Sequence, residues 1–490
     1  MLRKVRIFLA LVFFVGITLL FLDVTGVLHL YLGWMAKVQL LPAILSLNFI
    51  LVAAVLLFTW VFGRVYCSVI CPLGVLQDFF SWVASRFKKK RFHYAPPHNW
   101  FRYIALAVFV VLMVLGMNEL VVLVAPYSMY GRIATILLQP LYVFANNLLA
   151  LAAEHFDSYA FYGVAVVRRG VTALVVAIVS LLVVAFLAVR YGRLWCNTVC
   201  PVGSLLSLVS RYSILAPSID NDKCVGCKIC AKKCKAMCID PETHTIDGSR
   251  CVVCMDCLKN CSQGAIRYTR RRRSAATSPA AVDVSRRKFF AASAVLAVLG
   301  GQKRVRAAVA PIDGGLAVIE DKQVPHRNVP LVPFGAQGAD RFSSHCTSCQ
   351  LCVSECPSHI LAPSNDLASF LQPQINYVSG FCRPECTRCS QVCPTGAIRP
   401  ITPETKSSIS IGHAVFVPSN CLSARDGVSC GSCARHCPAG AIRMVDNGKG
   451  VKIPAVIEER CIGCGACEFY CPSRPFSAIY VEGRQVHTNV

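Results

Sequence analysis

A chain of 490 residues with 50 Lys and Arg against 26 Asp and Glu carries a formal net charge of +24, and it contains 29 cysteines. With 55% apolar residues and a mean hydropathy of +0.52, this composition excludes a plain soluble enzyme, a disordered tail and a small disulfide-stapled secreted protein. It fits a membrane protein with a cysteine-rich soluble part. Charge divides the chain: residues 1–310 hold 35 basic and 12 acidic residues, residues 311–490 hold 15 and 14. The basic residues flank apolar runs, a pattern of membrane insertion and not of nucleic-acid binding.

Four apolar stretches, Ile7–Leu22, Leu40–Gly63, Tyr103–Val124 and Val171–Val189, are long enough to cross a bilayer. One face gathers Arg3, Lys4, Arg6, Arg64, Arg86, Lys88, Lys89, Lys90, Arg91, Arg102, Arg190, Arg193 and Arg211. The other has only Lys37, Arg132, Arg168 and Arg169. This bias predicts a cytoplasmic N-terminus and a cytoplasmic exit from the fourth span. A further apolar run, Ile133–Ala153, is interrupted by Gln139, Pro140, Asn146 and Asn147.

An internal repeat bears on that run. Gly63-Arg-Val-Tyr-Cys67-Ser-Val-Ile-Cys71-Pro72-Leu-Gly74 returns as Gly192-Arg-Leu-Trp-Cys196-Asn-Thr-Val-Cys200-Pro201-Val-Gly203. Equivalent copies belong on the same face, which requires an even number of crossings between them. Ile133–Ala153 is therefore expected to be a non-spanning, interfacial or re-entrant helix at the outer surface. Each Cys-x3-Cys-Pro puts two thiols on one face of a helical turn that the proline ends. Cys67, Cys71, Cys196 and Cys200 can converge on one site, as metal ligands or as redox thiols. A single such pair is explained by packing alone; two in matching frames favour a chemical role.

The other cysteines are ordered. Cys224, Cys227, Cys230, Cys234 and Cys251, Cys254, Cys257, Cys261 both follow C-x2-C-x2-C-x3-C, as do Cys346, Cys349, Cys352, Cys356 and Cys461, Cys464, Cys467, Cys471. Cys382, Cys386, Cys389, Cys393 is a stretched version, and Cys421, Cys430, Cys433, Cys437 opens with a longer gap; Cys238 is left over. This is the spacing of bacterial ferredoxins, where three cysteines hold one cubane and the fourth reaches its partner cluster. Pro357, Pro394, Pro438 and Pro472 follow the last cysteine in four runs, while Lys235 and Ser262 stand there in the other two. Zinc sites prefer two C-x2-C pairs separated by a longer loop, and disulfides impose no such repeat. Six [4Fe-4S] clusters are expected.

The sequence has no Cys-x2-Cys-His haem motif, no histidine within the four spans, no dinucleotide-binding glycine loop and no P-loop. Clusters without a substrate-reducing centre describe a relay. Between the second and third runs, Ser285-Arg286-Arg287-Lys288-Phe289-Phe290 precedes the short apolar stretch Ala291–Gly301 and then Ala308-Val309-Ala310. That segment resembles a twin-arginine export signal, too short to span a bilayer.

Residues 1–270 resemble the NapH-type membrane ferredoxin family, with four spans, two Cys-x3-Cys-Pro motifs and a two-cluster domain. Residues 285–490 resemble the NapG-type (also MauM-type) family, a twin-arginine signal followed by four cysteine motifs. The resemblance implies a fusion of two quinol dehydrogenase components. It supports one cytoplasmic cluster on Cys224, Cys227, Cys230 and Cys261, and a second on Cys251, Cys254, Cys257 and Cys234. In the second half it suggests pairing of the run at Cys346 with that at Cys461, and of Cys382 with Cys421; consecutive pairing is the alternative. NosR-type and oxidase-assembly ferredoxins share the first half and lack the second.

The expected architecture is multidomain, a four-helix transmembrane bundle plus small α+β ferredoxin-like bis-[4Fe-4S] domains, one cytoplasmic and two forming the C-terminal four-cluster unit. Its parts are a membrane domain (1–213), a two-cluster ferredoxin domain (214–270), a basic linker with the twin-arginine-like signal (271–310), with Ala310 a candidate cleavage point, and a four-cluster domain (311–490). The expected protein lies in a bacterial inner membrane, oxidises quinol from the quinone pool and passes electrons to a periplasmic reductase or cytochrome. It has no nucleic-acid partner. Outer-face candidates for a quinone site are His29, Glu119, Tyr127, Gln139, Glu154 and His155. The competing reading is a membrane redox maturation or regulatory factor; a third has electrons entering from a cytoplasmic ferredoxin.

Overall fold

The computed structural model describes residues 2–87, 92–96, 99–157, 162–164, 170–271, 320–448 and 450–490, without side chains at 118–120. The twin-arginine-like segment, Ala310, Lys88–Arg91, Arg168 and Arg169 lie outside the described residues. Seven longer helices carry the N-terminal half: α1 (Leu2–Leu22), α2 (Phe49–Phe62), α3 (Pro72–Phe87), α4 (Asn99–Val114), α5 (Pro126–His155, with a π turn at Ala134–Leu138), α6 (Val171–Tyr191) and α7 (Pro201–Ser210). Three of them, α1, α5 and α6, are long and apolar enough to cross a membrane.

This differs from the four expected spans. The second breaks at Leu47, a left-handed residue (φ 55°), after which the Asn48 side chain caps α2 by accepting from the Leu51 N–H at 3.1 Å. The third breaks at Gly116 (φ 74°), dividing α4 from a short helix, Asn118–Val124. By contrast Ile133–Ala153, expected not to span, belongs to the 30-residue α5. Its first turns are buried, while Leu141, Phe144 and Leu151 farther along are exposed.

At ~1.5 Å per residue, α1 is about 30 Å long, and its two ends meet different units. Near its start, Arg3 Nε donates to Asp256 Oδ1 at 2.6 Å in the two-cluster unit of residues 214–271, labelled inner, as the unit of residues 323–490 at the far end is labelled outer. At its far end the Asp23 carboxylate accepts N–H bonds from Thr25, Gly26 and Leu28 at 2.8–3.0 Å and turns the chain. There the short helix Leu351–Ser354 of the outer cluster unit packs on α1.

The inner unit closes with an antiparallel pair, β1 (Leu215–Ile219) and β2 (Ile266–Arg270). The outer unit uses three pairs: β3 (Leu361–Pro363) with β4 (Pro373–Ile375), β5 (Ile409–Phe416) with β8 (Ile479–Asn489), and β6 (Ile442–Asp446) with β7 (Lys452–Val456). One buried apolar cluster joins all of this, from Val252 in the inner unit through Ile17, Leu20 and Phe21 of α1 to Ile479 in β8.

Candidate iron-sulfur centres and the paired thiol motifs

The cysteine runs share a local device. The residue after the second cysteine is left-handed in five of them: Lys228 (φ 59°), Met255 (61°), Gln350 (67°), Gly431 (88°) and Gly465 (77°). Each starts a helix of four or five residues, so the third cysteine falls on the first helical turn and points back at the first two. The run at Cys382, with its extra residue before Cys386, uses Thr387 at φ −120° instead.

Four apolar cavities are lined by three cysteines of one run and the last cysteine of another. They hold Cys251, Cys254, Cys257 with Cys234; Cys382, Cys386, Cys389 with Cys356; Cys421, Cys430, Cys433 with Cys471; and Cys461, Cys464, Cys467 with Cys437. The remaining outer set is Cys346, Cys349, Cys352 with Cys393, which act on one another electrostatically. In the inner unit, Cys224, Cys227 and Cys230 group in the same way.

Pairing in the outer unit is therefore consecutive. The expected partnership of the run at Cys346 with that at Cys461, and of Cys382 with Cys421, is corrected. Helix Leu351–Ser354 packs on Arg388–Val392, and Ser432–Arg435 on Ala466–Phe469. Each pair of runs makes one two-site module, and the modules meet where Cys382 N–H donates to Cys464 O at 2.9 Å.

The donor set suits cubanes. Sulfurs of the runs accept backbone N–H bonds: Cys346 from Ser348 at 3.4 Å, Cys393 from Ile398 at 3.4 Å, Cys437 from Ala441 at 3.3 Å and Cys471 from Ala478 at 3.3 Å. Burial pushes the Cys382 thiol up to about 11 and the Cys464 thiol up to about 12, so iron must displace protons as the clusters form. Lys406, 2% exposed, stands beside Cys382 and donates to the carbonyls of Arg383 and Cys386. Cys238, left over in the sequence, lies 3.6 Å from Cys234, sulfur to sulfur, and also hydrogen-bonds Cys251.

The two Cys-x3-Cys-Pro copies meet, as equivalent faces require. Arg64 and Arg193, 0% and 1% exposed, cross between them. Arg64 donates to Cys196 O at 2.9 Å, and Arg193 to Cys67 O at 2.7 Å. A Cβ on Gly74 or Gly203 would lie 2.2 or 2.1 Å from the carbonyl of Cys67 or Cys196, so the close turn tolerates no side chain. Sequence reasoning counted Arg64, Arg102, Arg132 and Arg193 as orienting charges, yet all four side chains are fully buried.

It also missed Asp78. Burial alone would raise its carboxyl, but Arg193, then Lys235 and Arg6, hold it well below the usual carboxylate range. Arg193 reaches it at 2.9 Å and Lys235 at 3.5 Å, and Arg6 completes the group. Lys235 also pairs with Asp256 at 3.2 Å. An aspartate in the apolar face of a helix next to Cys-x3-Cys-Pro was the available signal.

Of the quinone-site candidates, Tyr127 is buried beside Cys349 and Cys393, and half-buried His29 hydrogen-bonds the Gln391 backbone. Tyr127 Oη and His29 Nδ1 have no hydrogen-bond partner among the described residues. Gln139 is buried in α5, Glu154 and His155 are exposed, and the Glu119 side chain lies outside the described residues.

Comparison with known families matches a 4Fe-4S binding domain to residues 46–91 and again to 172–217, and 4Fe-4S dicluster domains to residues 345–411 and 428–474. Each dicluster match covers consecutive runs, in agreement with the observed pairing. The methylamine utilization ferredoxin-type protein MauM of Methylobacillus flagellatus is 35% identical over 182 residues, 34% of this chain and 75% of that protein. The ferredoxin-type protein NapH of Escherichia coli K12 is 27% identical over 207 residues, 42% of this chain and 57% of its own length. NapF of the same strain is 30% identical over 142 residues, 29% and 79%. No solved structure matches. With these thiol sets and relatives, the chain belongs to the ferredoxin-type iron-sulfur electron-transfer proteins of the MauM kind and is similar to NapH besides.

Proposed function

We propose that this chain fuses a NapH-type and a MauM-type component into one membrane quinol dehydrogenase. Quinol is oxidised at the outer end of α1, where the clusters of the outer unit begin. Its two electrons leave singly along the clusters to a periplasmic reductase or cytochrome, and its two protons are released on the same side. The twin-arginine-like motif at Ser285–Phe290 exports the outer unit, while the inner unit and the N-terminus stay in the cytoplasm. Six [4Fe-4S] clusters occupy the six runs.

One observation carries this reading: the outer sites form a row with one end at the membrane helices and the other at the surface. Cys349 and Cys393 stand beside Tyr127, and Gly131 of α5 lies against Cys349 O. The next site joins the third through Cys382 and Cys464. The last includes Cys430 and Cys433, both partly exposed, where an acceptor can dock. His29 Nδ1 and Tyr127 Oη supply unpartnered polar atoms for the two oxygens of a quinol head beside the first site.

Anaerobic membranes given a menaquinol analogue should bleach the cluster absorbance, and His29→Ala or Tyr127→Phe should slow this by roughly tenfold or more, the effect of one lost hydrogen bond to a reacting group. Clusters that stay oxidised in the wild type would defeat the reading. Reporter fusions near residues 270 and 330 test the two-compartment arrangement separately.

A further inference from the structure

One cavity at the joint between the helices and the inner unit is lined by no cysteine among the described residues. Its walls come from three places: Asn99 and Arg102 of α4, Asn197 of the second Cys-x3-Cys-Pro copy, and Ala236, Met237 and Arg250 of the inner unit. It encloses about 410 Å³ between atoms, solvent included. The cavities at the cysteine runs are apolar, whereas two guanidinium groups face this one.

Both guanidinium groups are buried, Arg102 at 2% and Arg250 at 6% exposure, and both keep an unused donor. Arg102 directs its Nη groups to Asn99 Oδ1 at 2.8 Å, to the Tyr103 hydroxyl at 3.2 Å and to two oxygens of Ser249 at 3.3–3.4 Å. Its Nε has no partner among the described residues. Arg250 donates from Nε to Asp247 at 2.7 Å and from Nη1 to Ala95 O at 2.6 Å; its Nη2 has no partner there. Orphaned Nε groups also occur at Arg64 and Arg132, but here two orphaned donors line one space. A buried charged donor without an acceptor is destabilising, so an acceptor inside the cavity satisfies both.

The charge balance points the same way. Arg64 stands behind the wall, donating to Asn197 Oδ1 at 2.9 Å and Ser249 O at 3.0 Å, within electrostatic reach of Arg102. Asp247 is the one carboxylate that the described residues set against these three cations, which leaves a surplus of two positive charges. The cavity also lies at the first turn of α4, where the helix dipole favours an anion. Trp100, Phe101 and Ile104 on the opening turns of that helix are exposed, an apolar border suited to lipid chains.

We propose that this cavity binds a phosphate-bearing anion, held by Arg102 and Arg250, which ties the inner unit to α4 and to the second Cys-x3-Cys-Pro copy. A phosphate group presents anionic oxygens to both unused donors at once, and guanidinium forks match its geometry. The source is either the headgroup of an anionic phospholipid or free phosphate. The site owes nothing to the identity of the electron donor, so failure of the quinol reading leaves it standing.

The test uses the full-length chain in detergent, stripped of lipid and kept in phosphate-free buffer. Binding is titrated with inorganic phosphate, with phosphatidylglycerol micelles and with phosphatidylcholine micelles as the uncharged control. Saturable binding of inorganic phosphate assigns the site to a soluble ion, and binding of phosphatidylglycerol without phosphate assigns it to a lipid headgroup. Arg102→Gln and Arg250→Gln should each weaken that binding by about tenfold or more, the loss of one charge-assisted hydrogen bond. Arg250→Lys keeps the charge without the fork and should also bind more weakly, with its iron content unchanged as the check on folding. A wild-type chain that binds neither phosphate nor phosphatidylglycerol overturns the proposal whatever the variants do, as does binding that correctly folded Arg102 and Arg250 variants retain in full.

Discussion

The inner and outer cluster units are built from the same cysteine spacing but are attached to the N-terminal helices by different forces. The inner unit is held by charge: Arg3, Arg6, Arg193 and Lys235 converge on Asp78 and Asp256. The outer unit is held by close packing, with Cys349 O against Gly131 of α5, where an added Cβ would come within 2.2 Å. The outer unit also encloses its cysteines more completely. Cys227 of the inner unit is exposed, whereas Cys461, Cys464, Cys467 and Cys471 are all buried. One arrangement suits a site that meets soluble partners; the other suits a through-relay fixed to its donor.

The largest effect should come from the residue that ties the first outer module together. Cys393→Ser removes the fourth ligand of the site made by Cys346, Cys349 and Cys352. About four iron atoms should be lost from that site and none from the one holding Cys382. Reduction of the outermost clusters by quinol should then fall to background. Mössbauer or paramagnetic resonance spectra that lose a different cluster would restore the rejected pairing.

The charge-held joint breaks at Asp78. Asp78→Asn leaves Arg6, Arg193 and Lys235 sharing one fewer carboxylate in a largely buried place, at a cost of about 3–5 kcal/mol. Limited proteolysis should release the inner unit while the outer unit stays bound to the helices. The joint should also fail in acid. Opposing charges hold Asp78 below its ordinary range, and Asp256 is lowered chiefly by Lys235 and Arg3 against the opposing effect of burial. The stability they contribute is complete above the unfolded carboxylate value near 3.9 and is lost as pH falls below it. Proteolysis between about pH 5 and pH 3 checks this, and Asp78→Asn should flatten the response.

The packed joint breaks by size. Gly131→Leu forces a side chain against Cys349 O and Phe21, costing about 1–3 kcal/mol. Electron entry into the outer unit should slow while the inner unit keeps its attachment. Equal damage to both joints, measured by the same proteolysis, would show that the two attachments are not independent.

The part of this that sequence makes plain is local. Three cysteines spaced by two residues and a fourth displaced past the turn announce a cubane, because ligand geometry is set within a dozen residues. The meeting of Cys67, Cys71, Cys196 and Cys200 was likewise legible, because a repeat in matching frames implies equivalent placement. Pairing of the outer runs was not, since it depends on which short helices pack, Leu351–Ser354 on Arg388–Val392. Family analogy pointed the other way. Helix breaks at Leu47 and Gly116 were also hidden, because hydropathy averages over a left-handed residue. Arg64 and Arg193 were visible, but their bridging role was not: a charge count does not show that a side chain also pins two repeats together.

The smallest effect lies at the edge of the outer unit and separates its acid response from that of the inner joint. His487 in β8 is lowered to about 4 by burial, and neither ring nitrogen has a partner among the described residues. Unfolded, the ring takes up a proton near pH 6.5; folded, it resists until about 4. At this ring the unfolded chain thus binds more protons between these values, and the stability His487 contributes falls as pH drops through that window, while Glu355, whose carboxyl is pushed up to about 7 by burial, acts in the opposite direction. The inner joint, governed by carboxylates, is untouched there. Melting of wild type and of a His487 variant at about pH 7 and about pH 5 isolates this contribution: between the two pH values the outer transition of the wild type should drop by ~2–4 °C more than that of the variant, the shift expected for about 1 kcal/mol in a unit of this size. His487→Phe, which keeps an aromatic ring in the strand, should remove that drop without altering the response of the inner joint below pH 4. If the drop persists in the variant, the acid sensitivity of the outer unit belongs to another group.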